Sequence, residues 1–129
     1  MITLLTNMQQ CDLLTTALEG GSNYWYELRD KSMLPEMADS EKYPETKGFE
    51  DCLVSRIWHA IQEEKEIPIH DIDSYDKLGV INKVNIAKGN ISMFKNSQSH
   101  FGDILNESWD AETADIWLQY VVMNEITFG

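Results

Sequence analysis

The sequence has 129 residues, of which 43% are hydrophobic, and 22 acidic residues against 10 Lys and Arg give a formal net charge of −12 at pH 7. This length and composition predict one folded domain and exclude intrinsic disorder. Because phosphate-binding surfaces need Lys and Arg, the acidic balance argues against direct contact with nucleic acid or with an anionic membrane.

The first predicted helix starts at Thr6 or Asn7, either of which can cap a helix N-terminus. Its apolar face is expected to contain Cys11, Leu14, Ala17 and Leu18. Gly20 and Gly21 are expected to end this helix in the left-handed conformation that glycine adopts readily. The aromatic segment NYWYELR, residues 23–29, then predicts a strand.

The middle of the chain changes character twice. Residues 30–48 are charged, contain two prolines and lack a hydrophobic period, so they predict a long polar loop. Helical periodicity returns at Phe49, with Glu50 and Asp51 in the first turn, where acids complement the helix dipole. The apolar face of this helix is expected to contain Phe49, Leu53, Ile57, Trp58 and Ile61. Like Cys11, Cys52 falls in a helical pattern and is predicted to be a small core residue.

Two strand patterns and a helix follow. EIPIHDI, residues 66–72, alternates apolar and polar side chains and predicts a strand. Pro68 assigns that strand to a sheet edge, because proline cannot donate to the ladder. LGVI, residues 78–81, predicts a third short strand, and Asn82 then caps a helix despite the internal Gly89. The apolar face of that helix is expected to contain Val84, Ala87, Ile91 and Phe94.

The last part of the chain is helical. Residues 97–107 predict a short helix, and Asp110 caps a longer one. The buried face of the longer helix is expected to contain Ala114, Trp117, Leu118, Val121 and Val122. The chain therefore predicts a single α+β domain over residues 1–129, with four to five helices packed on a small two- to three-stranded antiparallel sheet.

Motifs for metal or nucleophilic chemistry are missing. DIDSYDKLGVIN, residues 71–82, begins like a calcium loop, but Asp76 replaces the required glycine and Asn82 replaces the bidentate Glu. Ser22 does not lie in a Gly-x-Ser-x-Gly elbow. The three histidines are scattered, at His59, His70 and His100. We therefore expect no metal and no cofactor, and we assign no catalytic residue.

The corner GGSNYW, residues 20–25, is a candidate binding site. If a strand begins here, Tyr24 and Trp25 point to opposite faces, so one enters the core and the other stays partly exposed. An exposed aromatic ring beside polar groups suits a small ligand or a partner side chain. A plain helix-to-strand corner explains the same residues, and both interpretations stay open. The candidates are Glu19, Ser22, Asn23, Tyr24 and Trp25.

A second group of candidates opens the last helix: Asp110, Glu112 and Asp115. Capping and dipole compensation explain acids at this position, at about 0.3–1 kcal/mol each. Catalysis or ligand binding by these carboxylates needs a buried or closely paired setting that shifts their pKa values. That setting depends on the fold, so the three acids are kept as candidates for binding a ligand or partner.

Two segments of the chain resemble a known family. ALEGGSNYW, residues 17–25, and DAETADIWLQYVVMNEITFG, residues 110–129, are similar to segments of a family of small bacteriophage and prophage proteins with no settled activity. Asn124 precedes Glu125 here, where the family often has glycine. The resemblance implies an accessory phage protein in the bacterial cytoplasm, where small acidic proteins of this kind bind and block a host or defence component.

Three functions stay open from the sequence. The first is a non-enzymatic protein that binds and modulates a host or defence protein with a basic surface. The second is a protein that binds or sequesters a nucleotide or metabolite at the GGSNYW corner. The third is a small hydrolase that uses Glu19 with Asp110 or Asp115.

Location and assembly can also be predicted. The opening segment MITLLTNMQQCDLL lacks the basic region and long apolar run of a signal peptide, and no stretch is long enough to span a membrane. We therefore expect the reducing cytoplasm. An exposed strand edge at NYWYELR or EIPIHDI is expected to allow pairing with a second copy of the chain.

Overall fold

The computed structural model describes residues 5–129. Residues 1–4, which carry part of the signal-peptide prediction, lie outside the described residues. The described part contains five α-helices and one three-stranded antiparallel sheet, which confirms the α+β architecture. The helices are α1 (Asn7–Thr16), α2 (Leu53–Gln62), α3 (Lys83–Asn96), α4 (Gln98–Leu105) and α5 (Ala111–Met123). The strands are β1 (Tyr26–Glu27), β2 (Ile67–Asp71) and β3 (Lys77–Ile81), in the spatial order β1-β2-β3.

The core is built around α5. Every residue from Thr113 to Val122 is buried, whereas a surface helix buries a single stripe. Helices α1, α3 and α4 and strand β3 all contact α5, which explains why no face of it is left open. The predicted cap at Asp110 and the predicted buried face are confirmed, and the helix is more central than that face alone indicated.

Two glycines allow close approach to α5. A Cβ atom on Gly89 of α3 would lie 2.8 Å from the Cα of Val121. A Cβ atom on Gly79 of β3 would lie 2.3 Å from the carbonyl oxygen of Val122. Since neither spacing leaves room for a side chain, α3 and β3 reach the backbone of α5 only because these residues are glycines.

The buried face of α3 differs from the prediction. Val84 and Phe94 are exposed, and Ala87 and Ile91 are half-buried. The residues that α3 buries are Ile86, Gly89, Asn90 and Met93. On α3, Gly89 and Asn90 contact α5, and neither is an apolar side chain that a hydrophobic period would reveal. The apolar residues of α3 therefore predicted a neighbouring face of the helix as the buried one.

Strand β2 is central, which corrects the prediction that Pro68 places it at a sheet edge. The two residues of β1 pair only with His70 and Asp71, so Pro68 has no partner on that side. On the other side Pro68 pairs with Val80 of β3. Proline is tolerated because β1 is too short to reach it. In EIPIHDI, β1 covers only His70 and Asp71 on that side, and pairing of the chain with a second copy stays a prediction.

Helix α2 begins at Leu53 rather than at Phe49, and both of these residues are exposed. Glu50 and Asp51 therefore precede the helix instead of occupying its first turn. Cys52 is the exposed residue just before the helix, which corrects the prediction that it belongs to the core. The remaining predicted core residues of this helix, Ile57, Trp58 and Ile61, are buried.

Residues 30–48 form the predicted long loop. A short 3-10 turn at Pro44–Thr46 is the one regular element within these residues. The side chains of Met33, Leu34 and Tyr43 nevertheless pack against the core. The loop is therefore anchored at both of its ends.

Candidate functional site

The end of α1 is shaped differently from the prediction. The helix continues into a π-helical turn at Ala17–Gly21. Neither Gly20 nor Gly21 has a positive φ, so the predicted left-handed cap is wrong. Gly21 serves a packing role instead, because a Cβ atom there would lie 2.7 Å from the carbonyl oxygen of Ala111. The corner therefore rests directly on the first turn of α5.

The predicted strand over residues 23–29 is mostly a turn. Residues 22–25 form the turn, and β1 is limited to Tyr26 and Glu27. Trp25 is 1% exposed and Tyr24 is 51% exposed. One aromatic residue does enter the core while the other stays open, as predicted, although the cause is a turn rather than strand alternation.

The corner and α5 meet at the carboxylate of Asp115. Its Oδ1 atom accepts hydrogen bonds from Ser22 Oγ at 2.8 Å and from Trp25 Nε1 at 2.7 Å. Its Oδ2 atom accepts hydrogen bonds from the Tyr24 hydroxyl at 2.5 Å and from Gln119 Nε2 at 3.3 Å. Asp115 is 7% exposed, so these four donors compensate a buried carboxylate. The fold thus joins predicted residues that lie 90 to 93 positions apart.

Gln119 extends this network to the C-terminal segment. Its Oε1 atom accepts from the N–H groups of Thr127 and Phe128, both at 2.8 Å. The Phe128 ring stacks on Trp25 with a centroid separation of 5.2 Å and an interplanar angle of 11°. Gln119 is not among the residues that the sequence marks as candidates. The available signal was its position four residues after Asp115, where a glutamine and an acid share one helix face.

An open cleft of about 700 Å³ lies beside the Asp115 network. Its lining includes the glycines of the corner, Ala111, Ile116 and Phe128. Tyr24 and Ile126 also line it and are 51% and 49% exposed. Glu112 and Asp115 are the charged side chains that line this cleft, and both are acidic. The cleft is therefore partly apolar and negatively charged.

The Tyr24 hydroxyl is held in its protonated form. Burial of the hydroxyl end, together with the hydrogen bond to Asp115 and the nearby carboxylate charge, raises the pKa of Tyr24 to about 12. At neutral pH the hydroxyl therefore donates to Asp115. One end of the ring is fixed by this bond, and the residue is half-exposed and lines the cleft.

Four of the predicted site residues do not join the network, and one of these, Glu112, lines the cleft described above. Glu19 lines a separate cavity of about 440 Å³, together with both cysteines. Asn23 is exposed and does not line the cleft. Asp110 caps α5 by accepting a hydrogen bond from the backbone N–H of Thr113 at 3.1 Å, and this bond lowers the pKa of Asp110. The pairing of Glu19 with Asp110 or Asp115, which the hydrolase hypothesis needs, finds no support in this arrangement.

Within residues 5–129, no group of three or more His, Cys, Asp or Glu side chains is arranged to hold a metal ion. In the same part of the chain, no helix is long and apolar enough to cross a membrane.

The chain matches no protein-family model, no curated protein and no solved structure. The chemistry of the cleft is accordingly what points to a function.

Proposed function

We propose that this protein is a non-enzymatic binding protein whose cleft, between the corner at residues 20–25 and α5, receives a basic side chain of a protein partner. One observation carries the proposal: the charged side chains that line the cleft, Glu112 and Asp115, are both carboxylates, in a chain of net charge −12. Complementary charge speeds encounter with a basic partner and disfavours acidic ones.

The rim of the cleft supports a protein partner. Tyr24 and Ile126 are large, half-exposed apolar side chains at the cleft. Tyrosine is among the residues that dominate the energetics of protein interfaces. Trp25, by contrast, is a core residue that holds Asp115 in place, so a partner would not touch it.

The resemblance of residues 17–25 and 110–129 to phage and prophage proteins supplies a setting for this binding. In that setting the partner is a cytosolic protein of the bacterial host or of its defence systems, and binding modulates or blocks it. Proteins that handle nucleic acid carry the required basic surfaces. The carboxylates of the cleft favour a basic partner, and the resemblance favours a partner from the bacterial host.

Affinity capture from bacterial lysate tests this function with four versions of the chain. These are the parent, Glu112→Gln, Tyr24→Ala and the control Glu36→Gln, which removes the same charge at an exposed position outside the cleft. We expect the parent and the control to retain one basic protein that elutes at moderate salt. We expect the two cleft variants to lose most of it, although Glu112→Gln should lower the free energy of unfolding by no more than about 1 kcal/mol. Equal capture by all four versions would contradict the proposal.

The size of the cleft favours one second candidate, a small-molecule binding or sequestering protein. A volume of about 700 Å³ lies within the range of ligand pockets. The two carboxylates disfavour the phosphates of a nucleotide, so a cationic or neutral metabolite fits better. Native mass spectrometry of the protein purified from bacteria would show a retained small mass in the parent that is absent from Glu112→Gln.

A further inference from the structure

We infer that the basic group received by the cleft is the guanidinium of an arginine rather than the ammonium of a lysine. We also infer that Asp115 positions Tyr24 without touching the bound group. This inference rests on the proposed function, because it names the partner side chain that the same cleft selects. It follows from which hydrogen-bonding positions of the two carboxylates are already occupied.

The carboxylate of Asp115 is fully engaged within the chain. An ionised carboxylate offers about four lone-pair positions, and four donors already point at its two oxygens. Ser22, Trp25 and Gln119 are each at most 1% exposed, so they have no water to turn to if a ligand displaces them. A ligand that displaced one of these three would leave a buried donor unpaired, and one that displaced the Tyr24 hydroxyl would release the ring from its tether, which disfavours both modes.

The carboxylate of Glu112 is free by comparison. Glu112 is exposed in the first turn of α5 and lines the cleft. Within residues 5–129 the side chain of Glu112 makes no hydrogen bond, and the two ion pairs of these residues, Lys42–Glu63 and Lys83–Glu64, do not include it. Both of its oxygens can therefore accept donors from a partner.

Tyr24 supplies the second element of recognition. Its hydroxyl is held by Asp115, the residue is half-exposed, and it lines the same cleft as Glu112. A guanidinium is planar, so it can stack on an aromatic face and donate two parallel hydrogen bonds to one carboxylate. An ammonium is compact and strongly hydrated and can do neither as well. Ile116 and Ile126 would cover the aliphatic part of the arginine side chain.

Three capped tripeptides, Gly-Arg-Gly, Gly-Lys-Gly and Gly-citrulline-Gly, test the inference when titrated into the full chain at low salt and followed by heteronuclear NMR. We expect the arginine peptide to bind about fivefold more tightly than the lysine peptide. The neutral citrulline peptide should bind weakest. Equal affinity of the arginine and lysine peptides would overturn the inference and leave the proposed function standing. Equal affinity of all three would overturn both, because charge would then play no part. No signal change with any peptide would overturn the inference, and the lysate capture would decide the proposed function separately.

The Trp25 indole signal tests the positioning role of Asp115. Its N–H donates to Asp115 Oδ1, so it reports directly on that carboxylate. In the parent we expect the arginine peptide to shift the Glu112 and Tyr24 amide signals much more than the indole signal. An indole shift as large as the Glu112 shift would mean that the peptide contacts Asp115, and the positioning role would be wrong. Tyr24→Phe keeps the ring and removes its tether, so it should weaken the arginine peptide more than the lysine peptide, while Glu36→Gln should change neither.

Discussion

Two buried tryptophans in this protein use their indole N–H in the same way but in different surroundings. Trp25 donates to Asp115 at 2.7 Å, and Trp117 donates to Asn90 at 2.8 Å. Asn90 in turn donates to Gln10 at 3.1 Å, so the second network is neutral, and its members line neither of the two cavities described above. The first network holds a carboxylate beside a cleft and anchors an exposed tyrosine. The comparison teaches that equally satisfied polar networks can serve the fold alone or hold a surface group in place.

Truncation of the central acceptor should give the largest difference between the two networks. Asp115→Ala removes the partner of four donors, and we expect it to lower the free energy of unfolding by about 3–5 kcal/mol. Asn90→Ala leaves two neutral groups unpaired and should cost about 2 kcal/mol. Urea unfolding of both variants measures the two decreases in the free energy of unfolding. The dependence of that free energy on urea concentration should match the parent's, which shows that each variant still unfolds in two states. Equal losses would mean that the charge of Asp115 adds nothing.

Replacement of each tryptophan by phenylalanine tests the two indole hydrogen bonds. Trp25→Phe and Trp117→Phe remove similar ring area, so the difference between them reports the indole hydrogen bond together with the stacking of Trp25 on Phe128. A hydrogen bond to a charged group is worth more than a neutral one, so Trp25→Phe should cost about 1 kcal/mol more than Trp117→Phe. Thermal unfolding by calorimetry can resolve this. A larger loss for Trp117→Phe would reverse the ranking of the two networks.

The smallest expected effect is a pH dependence. The pKa of Tyr24 is raised from 10 to about 12, so its contribution to stability is complete below pH 10 and is lost as the pH rises to about 12. Tyr24→Phe lacks this group and should be less stable than the parent by about 1 kcal/mol at neutral pH. The gap should shrink between pH 10 and about 12 in denaturant titrations. Burial also raises the pKa of Cys11 to about 12, but that thiol is present in both proteins and cancels. A constant gap would show that the Tyr24 hydroxyl is not tethered.

Much of the fold could be predicted because its signals are local. Thr6, Asn82 and Asp110 cap their helices, and the apolar period of α5 marks its buried face. Pro68 misled the prediction because the length of the neighbouring strand is a tertiary property. The hydrophobic period did not predict the buried face of α3, because Gly89 contacts α5 there and has no apolar side chain to contribute to that period.

The candidate site was predicted in its parts and not in its assembly. Tyr24, Trp25 and Asp115 were singled out by residue type and by position beside a helix end. Nothing in one sequence indicates that a carboxylate would accept hydrogen bonds from residues 90 positions away. Two residues show this limit. Glu19 is a candidate from the sequence, but it lines a different cavity. Gln119 is not a candidate from the sequence, but its side chain donates a hydrogen bond to Asp115.

The glycines that touch α5 have a consequence for the movement of that helix. Gly21 meets its first turn at Ala111, while Gly79 and Gly89 meet its last turns at Val122 and Val121. Contacts made by backbone atoms at both ends leave no side chain that could change rotamer to accommodate sliding or rotation. These contacts oppose sliding and rotation of α5 and hold the backbone of its first turn beside the corner. A partner would meet a preformed cleft, and binding would cost little reorganisation of the protein.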